Sequence, residues 1–431
     1  MASTALLTDH YELTMLEATL KDGTAHRRSV FEVFGRRLSG GRRFGVVAGT
    51  GRVLDAIADF RFGAEEVDFL RTTGVVDAPT CDWLADYRFT GDVWGYAEGE
   101  LWFPGSPILR VEGSFAEAVI LETVVLSILN HDSAIASAAA RMIIAAGDRP
   151  CIEMGSRRTH ESSAVSAARA AHIAGFGATS NLEAGRRYGI PTTGTAAHSF
   201  TLLHDSEHDA FAAQVAALGA GTTLLVDTYD VATGVATAVE VAGPQLGAVR
   251  LDSGDLAEVA RTTRAQLDAA GNTATKITVT SDLDEYAIAA LAVAPVDGYG
   301  VGTSLVTGSG VPTSGFVYKL VSREDDHGTA VAVAKKSKDK ISVGGRKTAL
   351  RRMNARGVAE AEVVGIDLVP ADDGNDRALM VPLVEAGERV DHSTLDDARA
   401  RLRDSLAELP AGARRLSKGD PAIPTLYEEE E

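Results

Sequence analysis

The side chains with the greatest chemical potential stand at the downstream ends of short apolar runs. His198 closes Ile190-Pro-Thr-Thr-Gly-Thr-Ala-Ala-His198, directly before Ser199-Phe200. A histidine at a strand end can act as base, acid or phosphoryl acceptor; a satisfied core histidine is the plain alternative. In Arg250-Leu-Asp-Ser-Gly-Asp255, Asp252 and Asp255 flank Ser253 and Gly254. Two such acids can hold ribose hydroxyls or a magnesium ion, which prefers oxygen ligands. Helix capping is the ordinary alternative use of an acid there. Arg250 is costly to bury unpaired, so an anionic partner is expected for it. Arg157-Arg158 offers guanidinium forks for carboxylate or phosphate, or simply a solvated basic pair. Gly298-Tyr-Gly-Val-Gly302-Thr303 presents backbone N–H groups where an anion can bind, or forms a plain glycine turn. His160, His172, His204 and His208 have no metal-ligand spacing, and Gly344-Gly-Arg-Lys-Thr348 lacks the leading glycine of a P-loop.

These groups need elements to position them. From Pro150 to about Leu320, short apolar runs alternate with helical patterns and glycine-rich loops. The runs are Ile190–Thr195, Thr223–Thr228, Gly247–Asp252, Lys276–Asp282 and Val296–Thr303. Continuous apolar runs ending in polar residues are the signature of parallel β/α units. His198, Asp227, Asp252, Asp282 and Thr303 then share the C-terminal edge, where such folds carry their sites. A barrel is expected, with a doubly wound open sheet as the competing architecture.

Upstream, Ser29–Phe34, Gly91–Ala97 and Leu101–Val111 read as strands of a small sheet domain. A helix is expected over Ala116–Asn130 and a second from about Ser133. Beyond Ser322 the chain is more charged. It carries the basic run Lys335–Lys340, a polar helix over Thr394–Glu408 capped by Thr394, and an acidic tail. The expected division is 1–130 as an N-terminal sheet domain, 131–330 as the β/α barrel with the active site, and 331–431 as a C-terminal extension packing on the first domain.

Composition limits the functional classes. The chain has 431 residues, 42 Lys+Arg against 60 Asp+Glu and a formal charge of −18. That acidity argues against a nucleic-acid partner. The longest apolar stretch, Ala116–Leu129, is interrupted by Glu117 and Glu122, so no membrane span is expected. The N-terminus lacks a signal-peptide pattern. Cys81 and Cys151 offer neither a disulfide framework nor zinc spacing. A cytoplasmic location is the expectation.

Taken in order, several segments resemble the nicotinate phosphoribosyltransferase family. They are Leu6-Leu-Thr-Asp-His-Tyr-Glu-Leu-Thr-Met15, Phe31-Glu-Val-Phe34, Glu98-Gly-Glu-Leu-Trp-Phe-Pro104, Glu153-Met-Gly-Ser-Arg-Arg158, Gly177-Ala-Thr-Ser-Asn181, Gly194-Thr-Ala-Ala-His-Ser-Phe200, Arg250-Leu-Asp-Ser-Gly-Asp255, Thr280-Ser-Asp-Leu-Asp284, Gly300-Val-Gly-Thr303 and Val317-Tyr-Lys319. Each is short; their succession from residue 6 to about residue 415 is specific. The resemblance implies an irregular β/α barrel with an N-terminal open-faced sheet domain, paired as a homodimer. It implies transfer of phosphoribosyl from 5-phosphoribosyl 1-diphosphate to nicotinate in NAD biosynthesis, giving nicotinate mononucleotide and diphosphate. ATP hydrolysis is coupled in a ligase-type reaction, and Mg2+ accompanies the phosphates.

The implied roles fall on matching residues. His198 is the histidine phosphorylated by ATP. Arg250, Asp252, Ser253, Gly254 and Asp255 belong to the ribosyl and diphosphate region, Asp282 stands near the ribose, and Gly302 and Thr303 take the 5′-phosphate. Arg157 lies near the base and phosphate and reaches across the dimer; Tyr11 stacks on the pyridine ring from the neighbouring copy. Met154 stands where relatives often carry phenylalanine, which leaves stacking on both ring faces open. The neutral stretch around Ser180 favours an acid substrate, since a carboxylate there would repel nicotinate. The alternatives are a nicotinamide-using phosphoribosyltransferase and a different phosphate-binding barrel enzyme. The latter would normally place a catalytic lysine at a strand end, where this chain has His, Asp and Thr. An acidic interaction protein would leave the polar strand ends without a purpose.

Overall fold

A computed structural model of the chain describes residues 3–335 and 342–429. It divides into two compact units, residues 1–134 with 311–431, and residues 135–310. The segment 311–330, which the sequence pattern assigns to the barrel region, therefore belongs to the first unit. The reason is pairing: strand Phe316–Glu324 lies antiparallel to Arg28–Gly35, so its hydrogen bonds are satisfied in the first unit's sheet. Most of the basic run, 336–341, lies outside the described residues, as do the last two residues of the acidic tail.

The second unit is built on a six-stranded parallel sheet. Its order is Ala178–Thr179, Cys151–Glu153, Gly298–Val301, Lys276–Val279, Ala248–Leu251, Thr223–Leu225. Apolar side chains of these strands are fully buried, among them Leu224, Val249, Leu251, Ile277, Val279, Tyr299 and Val301. Helices cover both faces of such strands, which is why they read as continuous apolar runs. Among the described residues the two edge strands do not pair with each other, so the hydrogen-bonded sheet is open. Most loops leaving a strand end on a side chain that caps the next helix. Asn181 accepts from Ala184 N at 2.9 Å, Asp230 from Thr233 N at 2.9 Å and Asp284 from Ala287 N at 2.8 Å. Capping fixes where each helix begins, and so the length of each loop.

The expected strand at Ile190–Thr195 is not one. It touches the sheet by a single bridge, Thr179 to Thr192. Pro191 has no N–H to give a ladder, and the chain leaves the sheet edge after Thr193. His198 is consequently the first residue of helix His198–Leu203 rather than a strand end.

The first unit holds a seven-stranded antiparallel sheet centred on Arg28–Gly35, Leu109–Ser114 and Asp92–Tyr96. Strand Met380–Glu385 joins it by pairing with Asp92–Tyr96, so the C-terminal third is woven into this unit. The two helices expected over 116–130 and from 133 are instead a short helix, Phe115–Val119, and one continuous helix, Glu122–Ala146. The polar trio at 131–133 does not break the helix because its groups are paired. Asp132 receives Arg52 at 2.8 Å and His131 Nδ1 at 2.8 Å, and the Ser133 hydroxyl bonds Ala48 O. The run 115–146 is long and apolar enough to cross a membrane, but 67% of its most apolar stretch is buried in the protein, as in a core helix. The lysine of the P-loop-like segment, Lys347, is fully buried and pairs with Glu32 at 2.9 Å. It is not available to a phosphate.

A second buried charge network sits beside the first unit's four-stranded sheet. Arg351 NH2 donates to Glu362 at 3.0 Å and to Leu101 O at 3.0 Å, while the Tyr96 hydroxyl donates to the other Glu362 oxygen at 2.6 Å. Burial pushes the Glu100 carboxyl up, but Arg351 and Arg377 outweigh it and hold it below the usual range. A depressed folded-state pKa contributes stability above the unfolded value that is lost as pH falls through the folded one. Stability is therefore predicted to decline on acidification through the carboxylate range, and Glu100→Gln should flatten that decline in a urea titration series. Glu362→Ala, which takes its hydrogen-bonded carboxylate from the buried Arg351 and leaves only Glu100 at 3.6 Å as counter-charge, is predicted to cost about 3–5 kcal/mol. An unshifted urea midpoint would refute it.

Candidate active site

The C-terminal edge of the parallel sheet in the second unit forms an open cleft of about 220 Å³. Arg157, Arg158 and Arg250 line it against Asp252 and Asp282, with Met154, Gly302 and Thr303 completing the wall. Three guanidiniums facing two carboxylates favour an anionic ligand.

Arg250 leaves strand Ala248–Leu251 and is largely withdrawn from solvent. Its Nε donates to Thr280 Oγ1 at 3.0 Å; its NH1 donates to Thr195 Oγ1 at 2.8 Å and Ala196 O at 3.2 Å. Its NH2 stands 3.7 Å from Asp252 Oδ1. The Thr280 hydroxyl in turn donates to that same Asp252 oxygen. One arginine thus joins the neighbouring strand end to the segment that delivers His198.

His198 Nδ1 lies 3.1 Å from Thr228 Oγ1, and its Nε2 lies 3.9 Å from Asp252 Oδ2. The ring is partly open to solvent. Asp227, on the loop after strand Thr223–Leu225, accepts the Asp252 N–H at 2.9 Å and the Ser253 hydroxyl at 2.7 Å through Oδ2. Its other oxygen is buried without a hydrogen-bond partner. A buried, acceptor-only oxygen of this kind suits a hard cation.

Beneath the Met154–Arg158 loop, Glu153 is completely buried. It accepts the Gly155 N–H and the Thr179 hydroxyl, stitching two strand ends together, and burial raises its carboxyl. Gly300 is required by a close approach: a Cβ there would lie 2.5 Å from Thr280 Cγ2 and 2.7 Å from Met154 Sδ.

The sequence-derived residues divide clearly. Met154, Arg157, Arg250, Asp252, Asp282, Gly302 and Thr303 line one cleft, and His198 adjoins it through Asp252. Ser253 contacts it only through Asp227. Asp255 caps helix Leu256–Ala269, accepting Glu258 N at 3.2 Å, which is the ordinary use of an acid there; Gly254 supplies the positive φ of 82° in the turn before it. Ser180 is exposed, with its N–H on Glu153 O at 2.8 Å. Tyr11 lies in the first unit on helix His10–Asp22, with its side chain 47% exposed. Three of the other histidines have structural partners: His160 caps a helix, and His172 and His204 meet Phe176 O and Phe200 O. Sequence reading did not count Thr195, Asp227, Thr228 or Thr280 as site residues. Asp227 was visible as a polar strand end, and Thr280 opens the family-like segment Thr280–Asp284; Thr195 and Thr228 close apolar runs, which by itself gave them no role.

An α/β protein with an arginine-lined cleft at the C-terminal edge of a parallel sheet is the class that this fold and site define. The profile of the nicotinate phosphoribosyltransferase (NAPRTase) N-terminal domain matches residues 6–130. A nicotinate phosphoribosyltransferase of Mycobacterium tuberculosis is 58% identical over 429 residues, covering 97% of this chain and 94% of the relative. One from Bacillus subtilis is 39% identical, covering 82% and 74%. The crystal structure of human nicotinic acid phosphoribosyltransferase shares the fold, with a TM-score of 0.82 over 97% of both chains at 24% identity. The chain belongs to the nicotinate phosphoribosyltransferase family.

Asp227 is predicted to hold the Asp252–Ser253 turn. Asp227→Ala leaves the Asp252 N–H without its acceptor, at a cost of about 1–3 kcal/mol. Amide exchange at 252–255 should accelerate relative to the strands; an unchanged exchange pattern would remove Asp227 from this role.

Proposed function

We propose that the chain transfers phosphoribosyl from 5-phosphoribosyl 1-diphosphate to nicotinate, coupled to ATP hydrolysis through His198. The observation that carries the reading is the placement of His198 Nε2 3.9 Å from Asp252 at the rim of the arginine-lined cleft. Arg157, Arg158 and Arg250 would bind the phosphates. Asp252 and Asp282 would stand against the ribose as its C1–O bond to diphosphate breaks, stabilising the positive charge that builds there. The nicotinate ring nitrogen supplies the electron pair for the new bond to C1, so no catalytic base is needed. Gly302 and Thr303 would receive the 5′-phosphate, and Met154 would pack on the pyridine ring through its thioether. The acid nearest the neutral Ser180 segment is Glu153, which is buried beneath it and pushed up by burial. It presents no surface charge to repel a carboxylate substrate.

In the coupling step His198 takes the γ-phosphoryl of ATP on an imidazole nitrogen, and ADP departs. Added negative charge beside Arg250 and Asp252 would then reorganise the diphosphate site. Magnesium fits the residues present: the unpartnered Asp227 oxygen and Asp252 would hold it, and it would neutralise phosphate charge. Asp255 is a weaker candidate because its carboxylate caps a helix. The parallel sheet would form the wall of an irregular β/α barrel. The assembly would be a homodimer in which the exposed Tyr11 of one copy, together with Arg157, serves the shared site. Two free, buried cysteines fit a reducing, cytoplasmic location.

The test is direct. Incubation with ATP and magnesium is expected to place acid-labile phosphate on His198, and His198→Ala should abolish it. Absence of label in the unmodified protein would refute the coupling. Asp252→Asn is expected to lower kcat/KM by about 10²–10³-fold. Parallel assays should favour nicotinate over nicotinamide; the reverse preference would overturn the neutral-pocket argument.

A further inference from the structure

Four non-glycine residues among those described have positive φ, and two of them flank the cleft: Ser281 at 132° and Ser309 at 51°. Ser281 lines the cleft beside Asp282. Ser309 closes the turn after helix Thr303–Val306, its N–H on Ser304 O at 2.6 Å. Side-chain-bearing residues stay in such conformations only where their surroundings hold them there.

Ser309 is held by Glu285, which opens helix Glu285–Ala290 and is 3% exposed. Its Oε2 accepts the Ser309 hydroxyl at 2.7 Å and its Oε1 accepts Arg141 Nε at 3.0 Å. Arg141 is itself buried; its NH2 donates to the Tyr286 hydroxyl at 3.2 Å and its guanidinium lies over the Tyr286 ring. Burial raises the Glu285 carboxyl, but the Ser309 bond and Arg141 outweigh it and keep it below the usual range. Each loop is closed internally. Leu283 N bonds Ser281 O at 2.8 Å, and the Thr307 hydroxyl bonds Thr303 O at 2.8 Å. The Glu285–Ser309 bond is a side-chain link from one loop to the other, across 24 positions of sequence.

We propose that Glu285, its carboxylate fixed by Arg141, is a positioning residue for the phosphoribosyl donor, tying through Ser309 the loop that carries Ser281 and Asp282 to the loop that carries Gly302 and Thr303. This rests on the functional reading above, in which those two loops receive the ribose and its 5′-phosphate. Met154, on the side read above as meeting the pyridine ring, follows another strand, and no hydrogen bond among the described residues joins it to Glu285. A misplacement of under an ångström between two binding loops weakens the ligand that spans both.

The experiment compares the full-length protein with Ser309→Ala, Ser309→Gly and Glu285→Gln. Removing one hydrogen bond to a charged group is expected to raise KM for 5-phosphoribosyl 1-diphosphate about tenfold. KM for nicotinate should stay within about twofold in the same variants. Ser309→Gly relieves the backbone at φ 51° but also lacks the hydroxyl, so it should behave like Ser309→Ala. Glu285→Gln keeps a carbonyl oxygen for Ser309 and should recover most donor affinity while lowering Tm, because Arg141 loses its counter-charge. Titration with ribose 5-phosphate gives the same comparison without turnover: Kd should weaken about tenfold in both Ser309 variants. If wild-type protein binds ribose 5-phosphate and shows this pattern yet does not turn over nicotinate, the functional reading fails and the positioning role stands. A fall in Tm with unchanged donor KM and ribose 5-phosphate Kd, an equal rise in nicotinate KM, or no ribose 5-phosphate binding by the wild type would overturn the proposal.

Discussion

A guanidinium withdrawn from water must find acceptors, and at Arg250 that requirement organises the site. The side chain leaves a parallel strand that is paired on both sides, where burial without partners would cost several kcal/mol. Its partners come from three stretches of chain: Thr280 from the adjacent strand end, Thr195 and Ala196 from the segment before His198, and Asp252 from its own strand end. Satisfying one cation therefore places the histidine, the acid and the threonine together. The cleft's anion preference follows from the same economy, since Asp252 is shared with the Thr280 hydroxyl, while Arg157 and Arg158 stand exposed at the cleft.

The acids around the cleft are differentiated by burial and bonding. Glu153 is buried and raised, Glu285 is buried but held ionised by Arg141, and Asp227 keeps one oxygen without a partner. Acidic side chains thus stand in three states: stitching strand ends, bridging loops, and keeping one acceptor unsatisfied. Position within the sheet decides among them, because water content and nearby donors differ at each strand end.

Four of the six parallel strands stood out as runs in the sequence because burial on both faces leaves continuous apolar stretches, as in Lys276-Ile-Thr-Val279; Cys151–Glu153 and Ala178–Thr179 are too short to show one. Asp252 and Asp282, which follow those runs directly, were legible too. His198 was found by its motif while its element was misread: an apolar run with Pro191 near its start looks like a strand until the missing N–H is counted. The break expected near residue 131 failed for a different reason. Asp132 is paid for by Arg52, 80 positions away, and no local window contains that partner. Glu285 was invisible for the same cause, as its meaning lies in Arg141 and Ser309. The segment 311–330 was placed with the β/α region because its downstream boundary is set by pairing with Arg28–Gly35, an alignment that periodicity does not reveal.

Gly300 leaves no side chain between Met154 and Thr280, and any Cβ there would collide with both. The breadth of the cleft at this point is thus governed by residues 154 and 280 together. Positions 154 and 300 are unequal as routes of divergence. Exchanges among flexible or flat side chains at 154 can reshape this wall of the cleft one step at a time. A single step at 300 is closed until both 154 and 280 have first become smaller. A lineage adapting this cleft to a bulkier ring would have to make its changes in that order, so the glycine acts as a ratchet on how the pocket can evolve.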